Sequence, residues 1–279
     1  DCTTIGTWDS ASKTCTLTSD INDKIVIGSD GITLDGNNHT INVDLIEGNS
    51  PAITSLAHNN VIITNFKILC TPDSNNSATC YRSGIVSNGE NIIISNNHIS
   101  NLLQHHITLN YGEPFANLSV GGEIYGNVLE KPDWDLNSTW DPAIYAWAKG
   151  VKVYDNVIDH FGMGISVCRD AKIFENTFKN NHWVIDKLIQ VDDCGQGDDR
   201  SLFYNNNFLN NNNISDNDGQ QLRFHTNSPE SANYVGSAVI SSIIPESENI
   251  GAEIDFSCND SNYDNLCDPV SGIVFDYDG

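Results

Sequence analysis

Six short stretches of this chain share one layout: an apolar residue, a spacer, a turn-forming residue, a fourth position, a second spacer and another apolar residue. They read IITNFKI (Ile63, Ile68), IISNNHI (Ile94, Ile99), EIYGNVL (Ile124, Leu129), KVYDNVI (Val153, Ile158), KIFENTF (Ile173, Phe178) and LFYNNNF (Phe203, Phe208). The fourth position runs Phe66, Asn97, Asn127, Asn156, Asn176, Asn206, in steps of 31, 30, 29, 20 and 30 residues. Five successive asparagines at one structural position define a repeat, and a repeat of this length constrains the fold more than any local propensity. The residue before each (Asn65, Asn96, Gly126, Asp155, Glu175, Asn205) favours types that tolerate the left-handed backbone of a tight corner.

Each repeat carries an upstream segment with apolar residues at every second place: 83–88, 142–148, 163–168, 187–193 and 221–225. That alternation predicts short strands, with no helix-length apolar pattern between them. Stacking such units builds an elongated solenoid with a continuous apolar core.

These corners, with DGITLDGNNHTI at 30–41, resemble the right-handed parallel β-helix repeat family, the class that includes pectate-lyase-like folds. The resemblance covers roughly residues 25 to 245 and implies an all-β right-handed parallel β-helix. In that family inward asparagines form a ladder, so Asn97, Asn127, Asn156, Asn176 and Asn206 are expected to be buried rungs. Residues 1–24, two β segments around the turn DSASK, are expected to cap the N-terminal end, and residues 246–279 to form a C-terminal cover.

Eight cysteines fall as close neighbours, Cys2/Cys15, Cys70/Cys80, Cys168/Cys194 and Cys258/Cys267, without a CxxC metal knuckle. Disulfides are the expected use, with neighbour pairing the simplest of the 105 possible connectivities. Six glycosylation sequons, at Asn38, Asn75, Asn117, Asn137, Asn213 and Asn259, fit a secreted chain. Beginning at DCTT, the sequence reads as a mature secreted product with its leader removed, and no apolar run is long enough to span a membrane. The 37 acidic against 13 basic side chains give a net charge of −24, which argues against nucleic acid or anionic lipid as a partner.

Segments 71–82, 110–119 with 130–142, and 193–200 exceed a minimal coil, and such insertions are where a solenoid carries its binding surface. Four constellations could carry chemistry. Asp260, Asn262, Asp264 and Asp268 occupy positions 1, 3, 5 and 9 of a calcium-loop register, resembling thrombospondin type 3 or EF-type loops. Asn265 stands where Gly is usual and Ser271 replaces the bidentate Glu, so a solvated acidic loop is the competing reading.

The outward positions Tyr145, Trp147, Ser166, Gln190, Asp192, Arg223 and His225 are expected on neighbouring rungs of one sheet, with Trp134 and Trp140 in the adjacent insertion. That set suggests an aromatic platform for sugar rings, or simply a covered sheet face. Asp192 and Asp193, near Asp198 and Asp199, resemble the paired carboxylates of polygalacturonases, but that family's His-Gly segment is out of register and its Arg-Ile-Lys is missing. Arg169, Arg200, Arg223 and Lys187 lack a pectate-lyase motif. His105–His106 shows no zinc spacing, since adjacent strand residues face opposite ways. One methionine leaves copper handling little to use.

The sequence therefore suggests an extracellular glycoprotein that acts by assembly, adhesion or carbohydrate binding, with calcium as its one expected ion. Its partner would be a further copy of itself or an extracellular polysaccharide. The alternative is a polysaccharide lyase or glycoside hydrolase, with Asp192, Asp193, Arg223 and His225 as its candidate catalytic groups.

Overall fold

The computed structural model describes residues 1–46, 48–71, 80–109, 121–131, 141–167, 171–181 and 206–207 with their side chains. It describes 168, 189–192, 201–204, 208–209, 220–225, 235–239, 242–243 and 253–257 as backbone. Among them there is no α-helix, only two 3₁₀ turns, Cys2–Thr4 and Val43–Leu45. The rest is β.

From Ile25 onward the chain visits three sheets in rotation, so that hydrogen-bonded neighbours are every third strand. A ten-stranded sheet holds Thr33–Asp35, Ile62–Thr64, Ile93–Ser95, Glu123–Tyr125, Lys152–Tyr154 and Lys172–Phe174, and continues to Val235–Val239. An eight-stranded sheet runs from Thr40–Asn42 through His98–Ser100 and Val157–Asp159 to Ser242–Ile243. A seven-stranded sheet runs from Ile25–Val26 through Ile85–Asn88, Ile107–Leu109, Pro142–Ala146 and Met163–Cys168 to Ile189–Asp192. Within the three, every pairing is parallel except that of Gly6–Asp9 with Thr14–Leu17.

The register explains the core. Ile63, Ile94, Ile124, Val153 and Ile173 form one inward column; Ile41, Ile68, Ile99, Leu129, Ile158 and Phe178 a second; Ile25, Ile53, Ile85, Ile107, Ile144 and Ile165 a third. All are buried. Each such side chain contributes roughly 1.5–3 kcal/mol by leaving water, and stacking like on like lets β-branched residues interdigitate along the axis.

The corners between the first two sheets are left-handed: Asn65, Asn96, Gly126, Asp155 and Glu175 have φ of 59°, 55°, 64°, 53° and 57°. At Gly126 a Cβ would come within 2.5 Å of the Asn96 amide oxygen, which would have to shift, whereas the φ itself is adopted by Asn, Asp and Glu at the other corners. The asparagine after each corner points inward. Asn127 Oδ1 accepts both the backbone N–H (2.9 Å) and the side-chain Nδ2 (3.0 Å) of Asn97. Asn156 does the same for Asn127, Asn176 for Asn156 and Asn206 for Asn176. Each Nδ2 also donates to a carbonyl of the preceding coil, those of Ile63, Ile94, Ile124, Val153 and Ile173 in turn. The row ends at Phe66, whose N–H donates to Asn97 Oδ1 while its buried ring lies under Gly36.

At the N-terminal end, Gly6–Asp9 and Thr14–Leu17 form a hairpin clamped by the Cys2–Cys15 disulfide, and Thr14–Leu17 pairs parallel with Thr33–Asp35. Cys70 and Cys80 form a second bridge across the excess segment at 71–82. The partners of Cys168, and Cys194, Cys258 and Cys267 themselves, lie outside the described side chains. Residues 235–239 and 242–243 add further parallel rungs, and Glu253–Ser257 pairs with Gln220–His225 in a separate two-stranded sheet.

The ladder yields a stability prediction. Asn127→Ala removes the acceptor of two buried Asn97 donors, and should cost about 2–4 kcal/mol in denaturant unfolding. Ser10→Ala, on the exposed turn of the first hairpin and away from any left-handed position, should stay within about 0.5 kcal/mol.

Candidate functional site

A group of buried and half-buried titratable and aromatic side chains lies where the eight-stranded sheet passes to the seven-stranded one. Successive strand residues face opposite sides, which splits the His105–His106 pair. His106 turns inward. Its Nε2–H donates to the Glu130 carbonyl (3.2 Å) and its ring meets Phe161 edge-on at 4.7 Å between centroids. Full burial, with help from Lys131, holds its pKa well below the ordinary histidine value.

His105 turns outward. Its Nδ1–H donates to the Pro142 carbonyl (3.2 Å), which leaves Nε2 as the basic nitrogen, 3.7 Å from Asp141 Oδ1. Burial lowers the pKa of His105 more than Asp141 raises it.

Lys131 lies in the interior nearby, close enough for its charge to act on both histidines, with its side chain wholly out of solvent. Its Nζ reaches the Leu103 carbonyl at 3.4 Å and sits 4.9 Å over the Phe161 ring. Burial, opposed by Asp141, brings its pKa down to about 7. Nothing in the local sequence marked Lys131. Its carbonyl and aromatic partners, Leu103 and Phe161, are 28 and 30 positions away, and only the coil register brings them together.

Among the expected binding residues, Tyr145 and Trp147 stack on each other (4.9 Å) and Tyr145 stacks on His105 (5.0 Å, 15° between planes). In this row the rings use their faces on one another and turn edges outward. A sugar ring lying across the row would meet C–H edges rather than the faces that bind apolar sugar surfaces. A second such row, Tyr125, Tyr154 and Phe174, runs along the ten-stranded sheet. Beside it Glu123 binds Lys152 Nζ (2.7 Å) and Tyr154 Oη (2.9 Å), and burial plus Glu123 raise the Tyr154 pKa to about 12.

Gln190 pairs with Ser166, which pairs with Tyr145, so the backbone puts these three in one outward row. Thr108 precedes Tyr145 in the same row and, like Ser166, is buried although it points away from the core. Asp192 pairs with Cys168 at the end of its strand. Arg223 and His225 lie on Gln220–His225, which packs beside the Gln190 strand Ile189–Asp192 and has its ladder partner in Glu253–Ser257. The register of that pair shifts between Gln220 and Leu222.

Trp134, Trp140, Asp193 and the acidic loop of Asp260, Asn262, Asp264 and Asp268 lie outside the described residues, as do Asn75, Asn117, Asn137, Asn213 and Asn259. Asn38 is exposed on a turn at φ 63°. The described residues contain no cluster of three or more metal-binding side chains and no helix long and apolar enough to cross a membrane.

Comparison with known proteins returns no relative. No protein-family model, no curated protein and no solved structure matches the chain.

The buried amine makes a pH prediction. Lys131 binds its proton less tightly folded (pKa about 7) than unfolded (about 10.5), so stability rises with pH between those values and the penalty is complete below pH 7. Lys131→Met should therefore stabilise the protein by about 1–3 kcal/mol at pH 6–7. The gain should vanish by about pH 10.5, as followed by urea unfolding across the range.

Proposed function

We propose that this chain is a right-handed parallel β-helix that works outside the cell by adhesion or assembly. The carrying observation is the shape of its first end. The ten-stranded sheet ends there in the antiparallel strand Gly6–Asp9 and the eight-stranded sheet in the single bridge of Ile21 to Ile41, whereas the seven-stranded sheet ends in the parallel strand Ile25–Val26, whose outer edge pairs with no described strand. Below it a groove of about 840 Å³ is lined by Ile5, Trp8, Ile21, Val26 and Ile32. An open edge over an apolar groove is a place for another chain.

Three further features support the reading. Parallel crossovers are right-handed almost without exception, which gives the rotation through three sheets its hand. Disulfides suit an oxidising compartment. The exposed turn at Asn38 suits a glycan.

The acidic loop at 260–268 belongs to the same reading as a calcium site, of the low affinity common in extracellular modules. Calcium at ten millimolar should raise Tm, EDTA should reverse the rise, and the double variant Asp264→Asn/Asp268→Asn should remove the response. An unchanged Tm in calcium would make the loop simply acidic.

One observation favours a second reading, a polysaccharide lyase or hydrolase. A neutral His105 beside Asp141, near a lysine close to neutrality, is the arrangement of an acid–base site. Imaging of native material by electron microscopy, paired with product release from acidic and neutral polysaccharides, separates the two. Assemblies or surface layers without turnover are the expected result. Turnover abolished by His105→Ala or Asp141→Asn would replace the adhesion reading with the enzymatic one.

A further inference from the structure

The open edge can be described atom by atom. The N–H groups of Ile25 and Ile27 donate inward along the sheet, to the carbonyls of Ala52 (2.9 Å) and Thr54 (2.8 Å). Strand alternation then turns the N–H and C=O of Val26 the other way, off the end of the stack. The Val26 side chain is 66% exposed, in contrast to the buried Ile25 and Ile27 on either side of it. Trp8, 39% exposed, stands over the groove that the edge borders. Gly28 continues the edge, and a Cβ there would meet nothing within 4 Å.

These features describe one added strand: backbone groups for it to pair with, and an apolar groove for alternate side chains. Charge selects the strand. Asp1, Asp23 and Lys24 line the groove, and around it residues 1–35 hold six aspartates against two lysines, Lys24 included, which leaves this end acidic. A second copy meeting this end head to head would bring two acidic rims together, whereas a basic strand would be drawn in.

We propose that the Ile25–Val26 edge and its groove bind an extended peptide segment of a partner protein, in which apolar residues alternate with lysine or arginine. The proposal rests on the adhesion reading above and names the chemistry of its partner. The added strand continues the seven-stranded sheet, its apolar side chains enter the groove, and its basic side chains face the aspartates.

The test uses the full chain and a fluorescein-labelled peptide of sequence KVKVTVK, with EVEVTVE as the acidic counterpart, followed by fluorescence polarisation. The basic peptide should bind at least tenfold more tightly than the acidic one, and its affinity should fall as salt rises. Val26→Pro removes the free N–H and should weaken binding at least tenfold, while Val26→Thr, which keeps it, should not. Should Val26→Pro fail to fold, Gly28→Phe fills the groove from open space and should weaken binding similarly.

Equal affinity for both peptides, or unchanged binding by Gly28→Phe, overturns the proposal. So does a Val26-dependent dimer in sedimentation, which would seat a second copy in the groove. A chain that binds neither peptide yet forms assemblies loses this proposal and keeps the adhesion-or-assembly reading. One that turns over a polysaccharide through His105 loses that reading whatever the peptide does.

Discussion

The amide-to-amide hydrogen bond between consecutive corner asparagines is the interaction on which the rest of this structure depends. A corner between two short strands strands its own N–H inside the stack, where an unpaired donor costs about 1–3 kcal/mol. Here the Oδ1 of the next coil's asparagine accepts that N–H together with the neighbouring Nδ2, and its own Nδ2 reaches back to a carbonyl of the coil before. One side chain thus satisfies its own corner's neighbours and fixes the axial register. With the register fixed, the isoleucine columns follow, because every inward residue lies over its counterpart. It also frees the loop lengths: the step from Asn156 to Asn176 is 20 residues where others are 29 to 31, yet the ladder passes through it unbroken.

How much of this was legible in sequence depended on whether a feature repeats. The corners were, because left-handed φ at Asn65, Asn96, Gly126, Asp155 and Glu175 restricts residue type at a fixed offset from two apolar positions. A second inward amide was not. Asn181 accepts the Phe161 N–H (2.8 Å) and donates to the Ile158 carbonyl (2.9 Å), the same bonding at another corner. It occurs once among the described residues, and a single instance leaves no period to detect. The aromatic rows were legible as outward positions but not as stacks, since face-to-face contact depends on ring orientation, which spacing does not determine.

The candidate site was the least legible part, for a related reason. Lys131 and Arg82 are both buried in a chain with only 13 basic residues, and both rely on carbonyls: Leu103 for the lysine, Ile46 and Ser50 for the arginine. Sequence reasoning expects lysine and arginine outside. Their carbonyl partners are contributed by backbone up to 36 residues away, so residue identity says nothing about them. The two sites differ in kind. The guanidinium of Arg82 spreads its charge over several donors, while the Lys131 ammonium has one long bond and an aromatic face. A lysine so poorly compensated is costly as architecture, which is the physical ground for counting it with His105 and Asp141 rather than with the core.

A stack of coils has little freedom in its middle and much at its ends. Inside, each strand meets a strand above and below, and the inward columns and the ladder fill the interior between them. At the first coil the same rules leave a remainder: a sheet with no further neighbour and the apolar side chains that a neighbour would have covered. The hairpin and the Ile21 bridge move that remainder one level outward on two sheets, with Cys15 over Leu34 and Ile21 over Ile41 at the heads of their columns. The third sheet keeps it, with Val26 exposed on its edge although valine has high strand propensity and a low preference for water. The proposed partner surface therefore lies at the end of the axis, on the edge that borders an apolar groove, rather than along the faces, where stacked rings already use up their own contacts.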